Sequence, residues 1–149
     1  MLTKPSVFRI DGRLMAGWSA GDKRVLSHAG HRLSQELKGK LSSLCTHIKN
    51  HGGVKKSLRL LTRDLSHFRF AARFDVAQYY ESINHTVLLG QLSAMKVSKQ
   101  SQDIVRQYLS LPDNAHTGKG MIAGGSLSPL LGAVMLTSLD KLMAKEMRS

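Results

Sequence analysis

The chain has 149 residues, of which 22 are Lys or Arg and 10 are Asp or Glu, and its formal net charge is +12. Its one cysteine, Cys45, excludes a disulfide within the chain, and we expect it to be a small buried apolar group. No apolar run reaches the length of a membrane span or forms a signal-peptide core, so we expect no membrane contact and a cytoplasmic location.

The positive charge is concentrated in the first half of the chain. Residues 1–74 hold 15 basic and 4 acidic residues, a net charge of +11, whereas residues 75–149 hold 7 and 6, a net charge of +1. Such asymmetry indicates that the first half lies against a polyanion, nucleic acid above all. The alternative is a basic surface that serves solubility alone.

The first elements predicted along the chain are a hairpin and a helix. The apolar segment Ser6–Ile10 is followed by Asp11-Gly12, a turn signal, and a hairpin with residues 13–15 is consistent with it. Apolar residues at helical spacing then predict a helix over 23–37.

A basic loop opens into a second predicted helix, over 54–66. The loop carries Lys49, Gly52 and Gly53, and its glycines allow close approach of the backbone to a ligand. One stripe of the helix is apolar and consists of Val54, Leu58, Leu61 and Leu65. A second stripe is basic and consists of Lys55, Arg59 and Arg63. Such a stripe is usually a solvated face, but a basic loop entering a helix N-terminus can also hold phosphate oxygens.

The next stretch, 68–76, alternates apolar residues with Arg and Asp, which predicts a half-buried β-strand with a basic second face. The strand presents one carboxylate, Asp75, and two tyrosines follow at Tyr79 and Tyr80. An acid on a cationic surface suits a site for Mg²⁺ and a phosphate, because Mg²⁺ prefers one or two carboxylates with phosphate oxygens. The alternative is an edge strand with a capping Asp and core tyrosines.

Three helices complete the prediction. Asn84 is an N-cap for a helix over 85–95, and a further helix covers 99–110. The last helix, 128–146, begins at Ser128 with a glycine-rich loop before it. Unhindered N–H groups of such a loop, at a helix N-terminus, favour an anion.

Two stretches of the chain resemble the palm motifs of reverse transcriptases of the bacterial group II intron-like type. The first is Phe74-Asp75-Val76-x-x-Tyr79-Tyr80-x-Ser82-Ile83-x-His85. The second contains Gly120, Gly124, Gly125, Ser128, Pro129, Leu130, Leu131, Leu139 and Asp140. Segments 18–22 and 47–55 look like parts of the fingers of these enzymes.

The resemblance implies an α+β fold, a partial right-hand polymerase with helices packed on a small antiparallel sheet around 68–76. Residues 1–67 would be the fingers and 68–149 a partial palm, in one continuous domain without a thumb. The implied partners are an RNA template, a DNA primer, deoxynucleoside triphosphates and Mg²⁺.

The resemblance also implies roles for single residues. Asp75 would be the catalytic metal ligand, with the Val76 carbonyl near the same ion. Tyr80 would be the steric gate against a ribose 2′-hydroxyl, and Gly124 and Gly125 would lie beneath the incoming nucleotide. The nucleic-acid-binding residues would be Lys49, Lys55, Arg59 and Arg63.

The sequence departs from the family pattern in two ways. Ile122 and Ala123 replace a usual proline and glutamine, and the aromatic-x-Asp-Asp motif that supplies the other catalytic carboxylates is absent. We therefore expect this chain to be inactive alone, as a truncated product, a fragment, or one half of a split enzyme with a complementing Asp-Asp chain. The alternative function is a non-catalytic basic RNA-binding module.

Overall fold

The computed structural model describes residues 1–11, 13–48, 51–70, 72–113, 116–122 and 125–146. These ranges contain two strands and six α-helices, and the predicted α+β class is confirmed. The elements are β1 (Ser6–Ile10), β2 (Arg13–Gly17), α1 (Ala20–Glu36), α2 (Gly53–Asp64), α3 (Tyr79–Ser82), α4 (His85–Ala94), α5 (Lys99–Ser110) and α6 (Ser128–Glu146), with a 3₁₀ turn at Leu65–His67. No helix within the described ranges has both the length and the apolar character to cross a bilayer.

The predicted N-terminal hairpin is confirmed. β1 and β2 pair antiparallel, with Ser6 opposite Gly17 and Ile10 opposite Arg13. Asp11, at the turn, has a φ of 49°, the left-handed conformation that tight hairpin turns require and that Asp tolerates. The hairpin therefore follows from local turn chemistry, although its second strand extends two residues further than residues 13–15.

Capping side chains explain where the helices begin. The Ser19 hydroxyl accepts a hydrogen bond from the backbone N–H of Asp22 at 3.0 Å, so α1 begins at Ala20 rather than at residue 23. The predicted cap Asn84 is confirmed, because its side-chain oxygen accepts from the Val87 N–H at 3.0 Å. Helices α5 and α6 occupy the predicted ranges.

The core is helical. α4 packs on both α5 and α6, and α1 packs on α5. One cluster of buried apolar side chains draws on residues from both sides of the predicted 67/68 boundary. Its most deeply buried members include Leu26, Leu33, Leu88, Leu92, Val105, Leu109, Leu131 and Val134.

The predicted sheet around 68–76 is wrong. The described residues of this stretch, 68–70 and 72–76, form no strand and are exposed, while the two strands of the described chain pair with each other at 6–17. A strand needs a neighbour for its backbone N–H and C=O groups, and an alternating sequence does not supply one. The helices accordingly pack mainly on one another rather than on a sheet.

Helix α2 turns its apolar stripe toward solvent. Val54 and Leu58 are 74% and 57% exposed, and Leu61 and Leu65 are each more than half exposed. The helix is held to the body by polar contacts instead: the Lys56 ammonium donates to the Ser43 carbonyl at 3.0 Å, and the hydroxyls of Thr46 and Ser57 are hydrogen bonded. Amphipathic periodicity thus predicted the helix but not which side faces the core.

A carboxylate clamp joins the end of α1 to the start of α5. Glu36 accepts hydrogen bonds from the Ser98 backbone N–H at 2.7 Å, and from the Ser98 and Ser101 hydroxyls at 2.8 Å each. Partial burial alone would raise the pKa of Glu36, but these three donors outweigh it and hold the pKa below its ordinary value. The ionised carboxylate therefore stabilises the contact between the two helices.

We expect Glu36→Gln to lower the free energy of unfolding by about 1 kcal/mol at pH 7, because a neutral amide cannot form the charge-assisted bonds. A lowered folded-state pKa gives stabilisation that is present above 4.5, the ordinary pKa of glutamate, and is lost as pH falls through the folded value. The difference from the parent chain should therefore shrink between pH 5 and pH 3 in thermal melts followed by circular dichroism. Glu81→Gln, at an exposed glutamate, is the control, and an equal difference at both pH values would contradict the assignment.

Candidate functional site

The two palm-like motifs meet through backbone hydrogen bonds. The Gly120 N–H donates to the Ile83 carbonyl at 2.8 Å, and the Met121 N–H donates to the Tyr80 carbonyl at 2.7 Å. Nearby, the His85 N–H donates to the Gly118 carbonyl at 2.9 Å. Residues 80–85 and 118–121 therefore lie side by side, which neither motif indicates when it is taken alone.

Side chains strengthen the same junction. His85 Nε2 lies 2.6 Å from the Gly120 carbonyl oxygen, so this nitrogen carries the donated proton. Gly120 has a φ of 90°, a conformation that favours glycine and that places its carbonyl and N–H in these two bonds. The His and the Gly that the two motifs specify thus contact each other directly.

The tyrosine pair packs on helix α6. The Tyr79 hydroxyl donates to the Gly132 carbonyl at 2.6 Å, and the two tyrosine rings lie 5.5 Å apart, tilted by 45°. A Cβ at Gly132 would lie 3.3 Å from the Tyr79 ring and 3.6 Å from the Tyr80 ring. Burial is the main reason that the pKa of Tyr79 is raised to about 12, so its hydroxyl stays a donor at neutral pH. Tyr79 is a structural residue, while the gate role of Tyr80 stays a prediction.

The glycine loop before α6 closes over a buried tyrosine. The Tyr108 hydroxyl donates to the Ile122 carbonyl at 3.1 Å, and a Cβ at Gly125 would lie only 2.1 Å from that hydroxyl oxygen. Burial raises the pKa of Tyr108 to about 12, against a smaller opposite effect of the Ser128 hydroxyl. Ser128 is the first residue of α6, and its hydroxyl donates to the Gly125 carbonyl at 2.8 Å. Packing by Tyr108 therefore explains the glycine at 125, and Gly124 lies outside the described residues.

The predicted metal ligand is exposed. Asp75 lies in the irregular segment 72–76, and the neighbouring Val76 is 49% exposed. Among the described residues, no group of three or more His, Cys, Asp or Glu side chains is close enough to hold a metal ion. A single exposed carboxylate does not fit a centre for two Mg²⁺ ions, which needs several oxygen ligands in fixed positions.

Three of the four predicted nucleic-acid-binding residues lie on one helix, α2. Lys55, Arg59 and Arg63 are exposed along α2, and Lys49 lies outside the described residues. Gly52 precedes the helix with a φ of 101°, where a Cβ would lie 2.7 Å from the Lys56 Cβ, and Gly53 has a φ of 58°. These glycines serve the sharp turn into α2, so the loop needs no ligand to explain them.

Two phenylalanines of the stretch 68–76 are exposed, which the sequence did not predict. Phe70 and Phe74 are 91% and 85% exposed. The alternation of residues 68–76 predicts a buried position for both side chains. They are exposed because the described chain provides no strand to pair with this stretch. No signal within the segment itself distinguishes a paired strand from an unpaired one.

Comparisons with protein-family models, with curated proteins and with solved structures find no match for this chain.

We expect Gly125→Ala to destabilise the fold by about 1–3 kcal/mol, because the new methyl group would overlap the Tyr108 hydroxyl. Tyr108→Phe removes that oxygen, so the double variant should lose less stability than the sum of the two single variants. Gly90→Ala is the matched control, since a Cβ there meets no atom within 4 Å. Urea melts measure the free energy of unfolding of the parent chain and of the four variants, and strict additivity would contradict the proposed contact.

Proposed function

We propose that this chain is the fingers and front palm of an RNA-directed DNA polymerase, and that it binds template and primer for nucleotide addition. The observation that carries the proposal is the junction of the two motifs: Gly120 and Met121 donate to Ile83 and Tyr80. Two stretches that resemble motifs of one enzyme family are thus joined by hydrogen bonds, and three of the four bonded residues, Gly120, Ile83 and Tyr80, match those motifs. A chance resemblance in either stretch gives no reason for that contact.

Each group of residues has a task in this proposal. Lys55, Arg59 and Arg63 provide positive charge for nucleic-acid phosphates, which attract cations without regard to base sequence. Tyr80 borders the nucleotide, and Asp75 supplies one carboxylate. In this proposal an aromatic-x-Asp-Asp motif on a complementing polypeptide supplies the remaining carboxylates, because the sequence holds no Asp-Asp pair.

A specific observation favours a second candidate, the non-catalytic RNA-binding module. The described residues contain no cluster of metal ligands, whereas the cations of α2 are exposed. Such a module needs only the basic surface, and its affinity falls steeply with salt because the release of counterions then gains less free energy.

Primer extension separates the two candidates. The purified chain is mixed with an RNA template, a DNA primer, deoxynucleoside triphosphates and Mg²⁺, with and without a palm-thumb polypeptide that carries aromatic-x-Asp-Asp. We expect no synthesis by the chain alone and synthesis when both polypeptides are present. Asp75→Ala should abolish that synthesis while RNA affinity stays equal or rises slightly, because the substitution removes a negative charge from a basic surface.

Asp103→Ala is the matched control, since Asp103 is a half-exposed acid on α5 whose ion pair with Arg106, at 3.0 Å, contributes little. It should leave complemented synthesis intact. Complemented synthesis that survives Asp75→Ala would exclude the polymerase role of that carboxylate. If the chain binds RNA but supports no synthesis, either alone or with the palm-thumb polypeptide, the binding module is its function.

A further inference from the structure

Aromatic rings and guanidinium groups are interleaved on an exposed stretch of the chain. Phe70 and Phe74 are 91% and 85% exposed, and Phe68 is 58% exposed. Arg69 and Arg73, between them, are exposed as well. Three of the four phenylalanines of the protein therefore lie on seven consecutive positions, outside the core cluster. Exposed aromatic rings at this density mark a binding surface rather than ordinary surface composition.

The surrounding charge identifies the kind of partner. The stretch follows α2, whose Lys55 and Arg59 are also exposed, and residues 1–74 carry a net charge of +11. A second copy of the chain would bring two such basic segments together, and their repulsion disfavours self-association. An anionic partner is therefore favoured. A partner that also has flat apolar faces beside its charges matches the exposed phenylalanine rings as well.

Single-stranded nucleic acid has both properties. Its unpaired bases present faces that stack on aromatic side chains, and its phosphates pair with Arg and Lys. In a duplex the base faces are already stacked on one another, so rings such as Phe70 and Phe74 gain nothing from it beyond contact with the grooves. An acidic protein surface would satisfy the charge but has no particular need for aromatic rather than aliphatic side chains.

We propose that the basic-aromatic strip, defined as Phe70, Phe74, Arg69 and Arg73, is a stacking site for single-stranded nucleic acid. Bases stack on the two phenylalanines, while the two arginines hold the adjacent phosphates. The site rests on the nucleic-acid-binding part of the proposed function, and it needs neither a metal ion nor a complementing chain. It adds a preference for unpaired strands that the cations of α2 do not confer.

The test is fluorescence anisotropy with three labelled probes: a U12 RNA, a dT12 DNA and a blunt 12-base-pair duplex. The chain should bind both single strands more tightly than the duplex. The double variant Phe70→Leu/Phe74→Leu keeps apolar side chains but removes the rings, and it should weaken single-strand binding about tenfold for each base that can no longer stack. Duplex affinity should be unchanged. Phe8→Leu, at an exposed phenylalanine of β1, is the matched control and should bind like the parent.

Two further variants make the assignment specific. Arg69→Gln/Arg73→Gln should weaken single-strand binding and reduce the slope of log affinity against log salt by about 0.7 for each phosphate that the variant no longer neutralises. Phe70→Trp should retain affinity, and its added fluorescence should be quenched by U12 through stacking. Circular dichroism verifies that each variant is folded, as expected for exposed positions.

Equal affinity of the parent chain for single strands and duplex would overturn the proposal. So would unchanged single-strand binding by the Leu double variant, the result expected if the rings instead dock a protein. These outcomes are independent of primer extension: failure of complemented synthesis with intact, ring-dependent single-strand binding would reject the polymerase and keep the stacking site.

Discussion

The hydrogen bonds that Gly120 and Met121 donate to Ile83 and Tyr80 constrain the rest of the candidate site. Because these bonds fix the backbone of the short helix α3 and of Ile83 after it, they also position the Tyr79 hydroxyl on Gly132 of α6 and His85 on the Gly120 carbonyl. The backbone N–H and C=O groups that meet in the junction thereby satisfy one another, as a region between core helices requires. The two motifs of the chain act as one structural unit for this reason.

Residues 54–73 lie outside that unit. The core is completed by α1, α4, α5 and α6, and the apolar side chains of α2 and of the following segment remain exposed. Residues 54–73 hold six basic residues and one acidic residue. Covering the exposed apolar side chains is therefore favourable, and an anionic partner is preferred. The cations of this stretch therefore serve both the polymerase proposal and the RNA-binding proposal, which differ in the role that they give to Asp75.

The glycines and tyrosines of the two motifs show that a motif can be recognised in the sequence while the structural roles of its residues are not predicted. Gly125 fits a loop that binds a nucleotide, but the close approach of the Tyr108 hydroxyl already requires a residue without a Cβ. Tyr79 was an aromatic member of a motif, and its hydrogen bond to Gly132 gives it a packing role. Asp75, in contrast, has an exposed carboxylate outside any cluster of metal ligands in the described chain, so its role still rests on the resemblance.

The sequence by itself determined the N-terminal hairpin and five of the six described helices, all but α3. These elements form from hydrogen bonds a few residues apart, and caps such as Asn84 and a left-handed turn residue such as Asp11 act locally. Only the tertiary structure decided that residues 68–70 and 72–76 form no strand, that the apolar stripe of α2 faces solvent, and that residues 80–85 adjoin 118–121. Those outcomes depend on which distant segment supplies a partner, and local periodicity carries no information about that choice.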